Sequence, residues 1–337
     1  MATSDVPMAC AIGAAMSPAM VALGHARPAK EPRQAVTMTL LAAGMCAEVA
    51  AWEDELTGIQ ARHAISLGAD SRPLAPLIQD ALIRERRHHL DAARRNLGAF
   101  ERTVAAFGAP TEGQECPARL RSGEPLIFLL GLTAGLLAVI HDTAAERELG
   151  VPTAIPRQVE RGTFCLDDQE WWHVPSALRA AVWTAVPGSA PAGVDPWAVL
   201  DEAARLGEGQ GVGLGRALQA QAAAAAGKDE LHRQAIVAHA AAHKAGSGAG
   251  EYALLNDYAG RMITHFSDRI WMEKNGHRTP ADALGTFPGA AASDEDAALL
   301  DAVMAEAAAE AAAEAPKGEA PKVQAPPRGA GPVPPGD

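Results

Sequence analysis

AVTMTLLAAGMCAEVAAWEDELTGIQARHAISL (residues 35–67) and LAPLIQDALIRERRHHLDAARRNLGAFERTVAAF (residues 74–107) decide the fold. In the first stretch Met45, Val49, Trp52, Leu56, Ile59 and His63 recur at spacings of four and three. In the second Leu90, Ala93, Leu97, Phe100, Val104 and Phe107 do the same. That rhythm puts a narrow apolar seam on one face of a helix, as in a coiled coil. Between them lies LGADSRP (67–73), where Gly68 suits a helix exit and Ser71 and Pro73 suit a helix start. The expectation is a long antiparallel helical hairpin.

The composition agrees. The chain has 337 residues, 48% hydrophobic and 21% charged but only 4% aromatic. A core made of Ala, Leu, Val, Ile and Met packs close helices better than broad sheets, so the fold class is all-α. A formal net charge of -12 excludes a nucleic-acid partner, which needs dense Lys and Arg against phosphate. The basic run RERRHH (84–89) is short, broken by Glu85 and placed mid-helix.

Outward from the hairpin, four parts are expected: a poorly defined N-terminal segment (1–34), the hairpin with an apolar central helix (35–149), a second helical region (150–290), and an acidic alanine-rich helix with a disordered tail (291–337). PLIFLLGLTAGLLAVIH (125–141) reads as a helix buried in a bundle. Its strongly apolar part is shorter than the ~20 residues that cross a bilayer, and Gly131 and Gly135 permit close helix contacts. Membrane anchoring through it is the less favoured reading. Residues 150–173 read as irregular, with helices following at about 175–186 and 196–206. GEGQGVGLG (207–215) reads as a flexible connector, since neither phosphate-loop register is present. A second hairpin is expected from a helix over 229–245, the connector GSGAG (246–250) and a helix over 251–274. In the last part, Ser293 and Asp296 have capping-box spacing, AEAAAEAAAEA is helical in pattern, and the proline-rich end is disordered in composition.

The four cysteines, Cys10, Cys46, Cys116 and Cys165, are scattered without CxxC, which suits a reducing cytoplasm. The uncharged run from Val6 to Gly24 resembles a signal segment but lacks its positive start.

Chemistry concentrates in HRQAIVAHAAAH (232–243). His239 and His243 stand one turn apart, ~6 Å, whereas His232 lies ~16 Å from His243 along the axis. If the second hairpin folds back across GSGAG, Asp257 comes opposite His239. His239, His243 and Asp257 would then be two-His-one-carboxylate ligands for Zn or Fe. His265 and Asp268 would serve as acid or base to a metal-bound water in a hydrolase. The competing reading makes these histidines the polar edge of a core. Weaker groupings are Glu85 and His88 with Glu48, in the pattern of a di-iron bundle with Glu170 and His173 as its second half, and a Cys165–His173 dyad. The favoured function is protein–protein interaction or self-association through the 35–107 hairpin, in a bacterial type of protein.

Overall fold

A computed structural model describes residues 5–26, 30–110, 116–117, 120–121, 123–246 and 252–289. Among them are ten helices and no strand, so the all-α expectation holds. The expectations for 291–337 lie outside these residues, as does most of the GSGAG connector.

The long hairpin is α2 (Lys30–Ser66) and α3 (Ser71–Phe107). Gly68 exits α2 at φ +94°, a conformation that favours glycine. The start of α3 is capped one residue earlier than expected: Asp70 Oδ1 accepts the Arg72 N–H at 3.0 Å. The seam between the two helices is not the large apolar row. Small residues make it: Gly44 has room only because it lacks a Cβ, which would lie 3.1 Å from the Asn96 amide, and Gly58 and Gly98 face Ala81 and Leu40. The row through Trp52, Leu56 and Ile59 turns instead toward α10 (Ala253–Asn275), where Leu56 and Ile59 pack with Met272.

Residues 6–26, expected to have no defined element, form α1 (Val6–Ala26). It docks on α2 at Gly13, whose missing Cβ would fall 2.5 Å from the Ala43 backbone nitrogen. A Cys10–Cys46 disulfide closes the same contact, and Cys116–Cys165 ties the segment before the central helix to the turn after α5 (Ile155–Thr163). All four cysteines are therefore paired, against the expectation of scattered thiols. The dyad of Cys165 and His173 is thereby excluded. Pairing between distant helices cannot be read from cysteine spacing.

The central helix α4 (Glu124–Ala144) is mostly buried in the protein, as expected. It seats on α3 through Gly131 against Thr103 and Gly135 against Phe100. By length and composition α1, α2 and α4 are each apolar enough to cross a membrane. Residues 150–173, expected to be irregular, contain the nine-residue α5, whose Ile155 and Val159 reach the core from one face.

Beyond them come α6 (Val174–Ala185), α7 (Pro196–Gly209), α8 (Leu214–Ala225) and α9 (Asp229–Lys244). The glycines of 207–215 are not a loose connector. A Cβ on Gly207 would meet the Trp172 carbonyl at 2.7 Å, and one on Gly215 would meet Ala204 at 3.1 Å. They let α7 and α8 turn tightly on one another.

Each disulfide closes a loop, of 36 and 49 residues in sequence separation. Such loops stabilise by about 2–4 kcal/mol each. A reductant should therefore lower the melting temperature strongly, and replacing either pair by Ser should lower it part of the way; thermal melts with and without dithiothreitol measure this.

Candidate functional site

Between α9 and α10, beside the face of α2 on which α10 packs, lies an open cavity of about 600 Å³. All five residues singled out in the sequence line it: His239 and His243 from α9, and Asp257, His265 and Asp268 from α10. More of the wall comes from α2 (Trp52, Glu53), the end of α7 (Glu208), the turn before α8 (Gly213), and Arg278 and Leu284 beyond α10. The five residues thus share one cavity, but their geometry is not the expected one.

The register of the second hairpin is the first difference. His232 meets the ring of Phe266 at 4.9 Å, and His239 Nε2 lies 3.9 Å from where a Gly260 Cβ would be. His239 therefore faces Gly260, three residues along from Asp257. Asp257 does other work: its Oδ2 accepts the Val6 N–H at 2.7 Å and the Arg261 Nε–H at 3.1 Å. It caps the start of α1 from across the molecule, a carboxylate at the positive end of a helix. His243 is exposed at the end of α9. Among the described residues, no three His, Cys, Asp or Glu side chains are grouped to hold a metal ion. Of the expected acid–base pair, His265 and Asp268, the second is engaged by the backbone. Asp268 Oδ1 accepts the Thr279 N–H at 2.9 Å and fixes the chain leaving α10.

His239 is the most constrained group in the cavity. It is 8% exposed, and its ring slots against Gly213, where a Cβ would lie 2.9 Å from Cε1. Asn256 holds that turn by accepting the Gly213 N–H at 2.9 Å and donating to the Gly211 carbonyl at 2.8 Å. Burial, with help from His243 and Arg216, pushes the imidazole pKa down to about 4, so the ring is neutral at pH 7. Its Nδ1 has no hydrogen-bond partner, and the nearest acid, Glu208 Oε1, is 3.9 Å away. Burial raises the Glu208 carboxyl even though Arg216 bonds it at 2.9 Å.

His265 is held from behind. Its Nε2 meets Glu55 Oε2 at 3.0 Å, and its ring stacks on Trp52 at 4.9 Å with an 11° interplanar angle. Arg269 shares the same carboxylate at 2.9 Å. His265 Nδ1, like His239 Nδ1, is buried without a hydrogen-bond partner.

No family model, curated protein or solved structure matches the chain.

A second polar group lies beside the cavity, and sequence reasoning met it only in part. Glu48, 4% exposed, accepts the Tyr258 hydroxyl, and His141 Nε2 stands 3.4 Å from its Oε1. His141 Nδ1 in turn meets His89 Nδ1 at 3.1 Å. Burial acts to raise the Glu48 carboxyl, but His141 and Tyr258 hold it below the usual carboxylate value. On the di-iron reading His88 would face inward. Instead His89 does, while His88 turns to Asp54 at 3.5 Å. Glu85 is half-buried, and burial together with Glu55 lifts it to about 7. The one sequence signal for this group is that Glu48 is the first charge after Arg33 in an otherwise apolar run.

His239 takes up a proton in the unfolded chain near 6.5 but in the fold only near 4. Its contribution to stability is full above 6.5 and is lost as pH falls toward 4. The expected loss between pH 7 and pH 5 is about 2 kcal/mol. His239→Gln should shrink the acid destabilisation by that amount, read from denaturant titrations at the two pH values. His89, also pushed down to about 4 by burial and His141, keeps its own share in both proteins.

Proposed function

We propose that the chain is a helical binding protein whose cavity takes a small molecule rich in hydroxyl or amino groups. The observation that supports this is the pair His239 and His265: two buried rings on facing helices that line one cavity together with Glu53, Glu208, Asp257 and Asp268. The volume of about 600 Å³ suits a small molecule. Glu53, Glu208, Asp257 and Asp268 outnumber Arg261 and Arg278 on the wall, so the field favours a neutral or cationic ligand over an anion. The paired cysteines favour an oxidising compartment over the cytoplasm that the spacing alone suggested.

A second reading, association through the long hairpin, rests on the hairpin's far end. Leu67, Leu77, Leu82 and Ile83 are large apolar side chains exposed there. Such a patch is what a protein partner or a second copy would cover.

Two measurements separate these readings. In a thermal-shift panel of polyols, amines and carboxylates, polyols or amines should raise the melting temperature by roughly several degrees at saturation. His239→Phe with His265→Phe should abolish the rise; a panel in which only carboxylates act, or none does, sinks the binding reading. For the hairpin, light scattering should show a dimer or larger species that Leu77→Glu with Leu82→Glu converts to monomer. A wild-type chain that stays monomeric at high concentration removes self-association.

A further inference from the structure

An ordinary helix on a protein surface is apolar inward and polar outward. α1 is not. Every exposed residue between Pro7 and Leu23 is apolar, with Met8, Ile12, Met16 and Leu23 the largest of them, and less than a fifth of the span is buried. A helix that is apolar all round belongs in a core or in lipid. Its inward face already has a partner, because Gly13 seats on Ala43 and Cys10 is bonded to Cys46. The outward face has none among the described residues.

We propose that α1 is the membrane-docking face of the protein, and that its exposed side lies in the hydrocarbon of a neutral lipid bilayer. The 18-residue span, Val6–Leu23, gives a strip ~27 Å long in which half-buried Ser17 is the one hydroxyl-bearing side chain and no side chain is charged. A protein partner calls for something different, since interfaces between proteins are only about 56–58% apolar and carry a polar rim. The charge also selects the surface. A chain of net charge -12 gains nothing from anionic headgroups, and the run from Val6 to Gly24 holds no lysine or arginine to reach them.

Docking is flat rather than transmembrane. α3 runs beside α2 at the level of α1, with Arg95 Nη1 donating to the Ala43 carbonyl at 2.7 Å. The exposed Asp91–Arg94 pair stands on the neighbouring turn of α3. A crossing by α1 as docked would drag those charges into hydrocarbon, at several kcal/mol each. The other end of α1 is bonded to Asp257 on the wall of the charged cavity, so the helix is held to the body of the protein. An apolar side face immersed by ~5–10 Å satisfies all of these contacts.

The test uses the full chain with disulfides intact and vesicles of phosphatidylcholine. The wild-type protein should float with the vesicles, and Ile12→Ser with Met16→Ser should weaken partition roughly tenfold or more. The melting temperature of the variant shows whether it still folds. Should it not fold, an apolar photoreactive probe dissolved in the bilayer gives the answer on the wild type: labelling should fall on the peptide carrying residues 6–23. Absence of flotation, labelling concentrated in α3 or α4, or a soluble oligomer that the serine substitutions dissociate would each overturn the proposal. None of these outcomes depends on ligand binding in the cavity.

Discussion

A carboxylate buried in a helical bundle must be satisfied, and Glu48 is that carboxylate. It sits on α2 where four helices meet, and each of the other three sends a group toward it: Tyr258 from α10, His141 from α4, and His89 from α3 through His141. Removing any one would leave a charge or a polar atom buried without its partner, which costs far more than an apolar contact gains. The position of α10 follows from this. Once Tyr258 is fixed on Glu48, the next two turns of α10 bring His265 to Glu55 and Trp52, and the cavity opens between α10 and α9.

Close approach is the second constraint. With few aromatic side chains, the helices are drawn together by glycine and alanine at the contact points. Gly13 meets α2, Gly44 meets α3, Gly131 and Gly135 meet α3 from α4, and Gly213 meets the His239 ring. Packing of this kind leaves the larger side chains of α2 free to face α10. It also places neutral His239 where no water-exposed polar group can reach its Nδ1.

The parts of the fold legible in the sequence are those with a strong local signal. The α2–α3 hairpin announces itself by its three-four rhythm and its Gly68 and Asp70 punctuation, and α4 by a long uncharged run. That these residues share the wall of one cavity was legible, because histidines at one-turn spacing and a polar stripe on the facing helix are local patterns. The register was not: a shift of three residues between α9 and α10 is set by how Phe266 and Gly260 pack, and it sends Asp257 to the start of α1. α5 is too short, and α8 too uniformly alanine, for periodicity to mark them. The disulfides and the bond from Tyr258 to Glu48 join residues far apart in sequence, which no spacing rule reaches.

That last bond sets an order of events in time. Glu48 and Tyr258 are separated by 210 residues, and Val6 and Asp257 by 251. At ordinary rates of synthesis α10 emerges on the order of ten to forty seconds after Glu48. During that interval the carboxylate is without the hydroxyl, and the first turn of α1 has only its local cap, the Asp5 carboxylate on the Met8 N–H, without Asp257. The early helices can therefore reach their final packing only when synthesis is nearly complete. Chain truncated before α10 keeps an uncovered apolar helix and an uncompensated charge in the same molecule, the combination that folding surveillance recognises as unfinished.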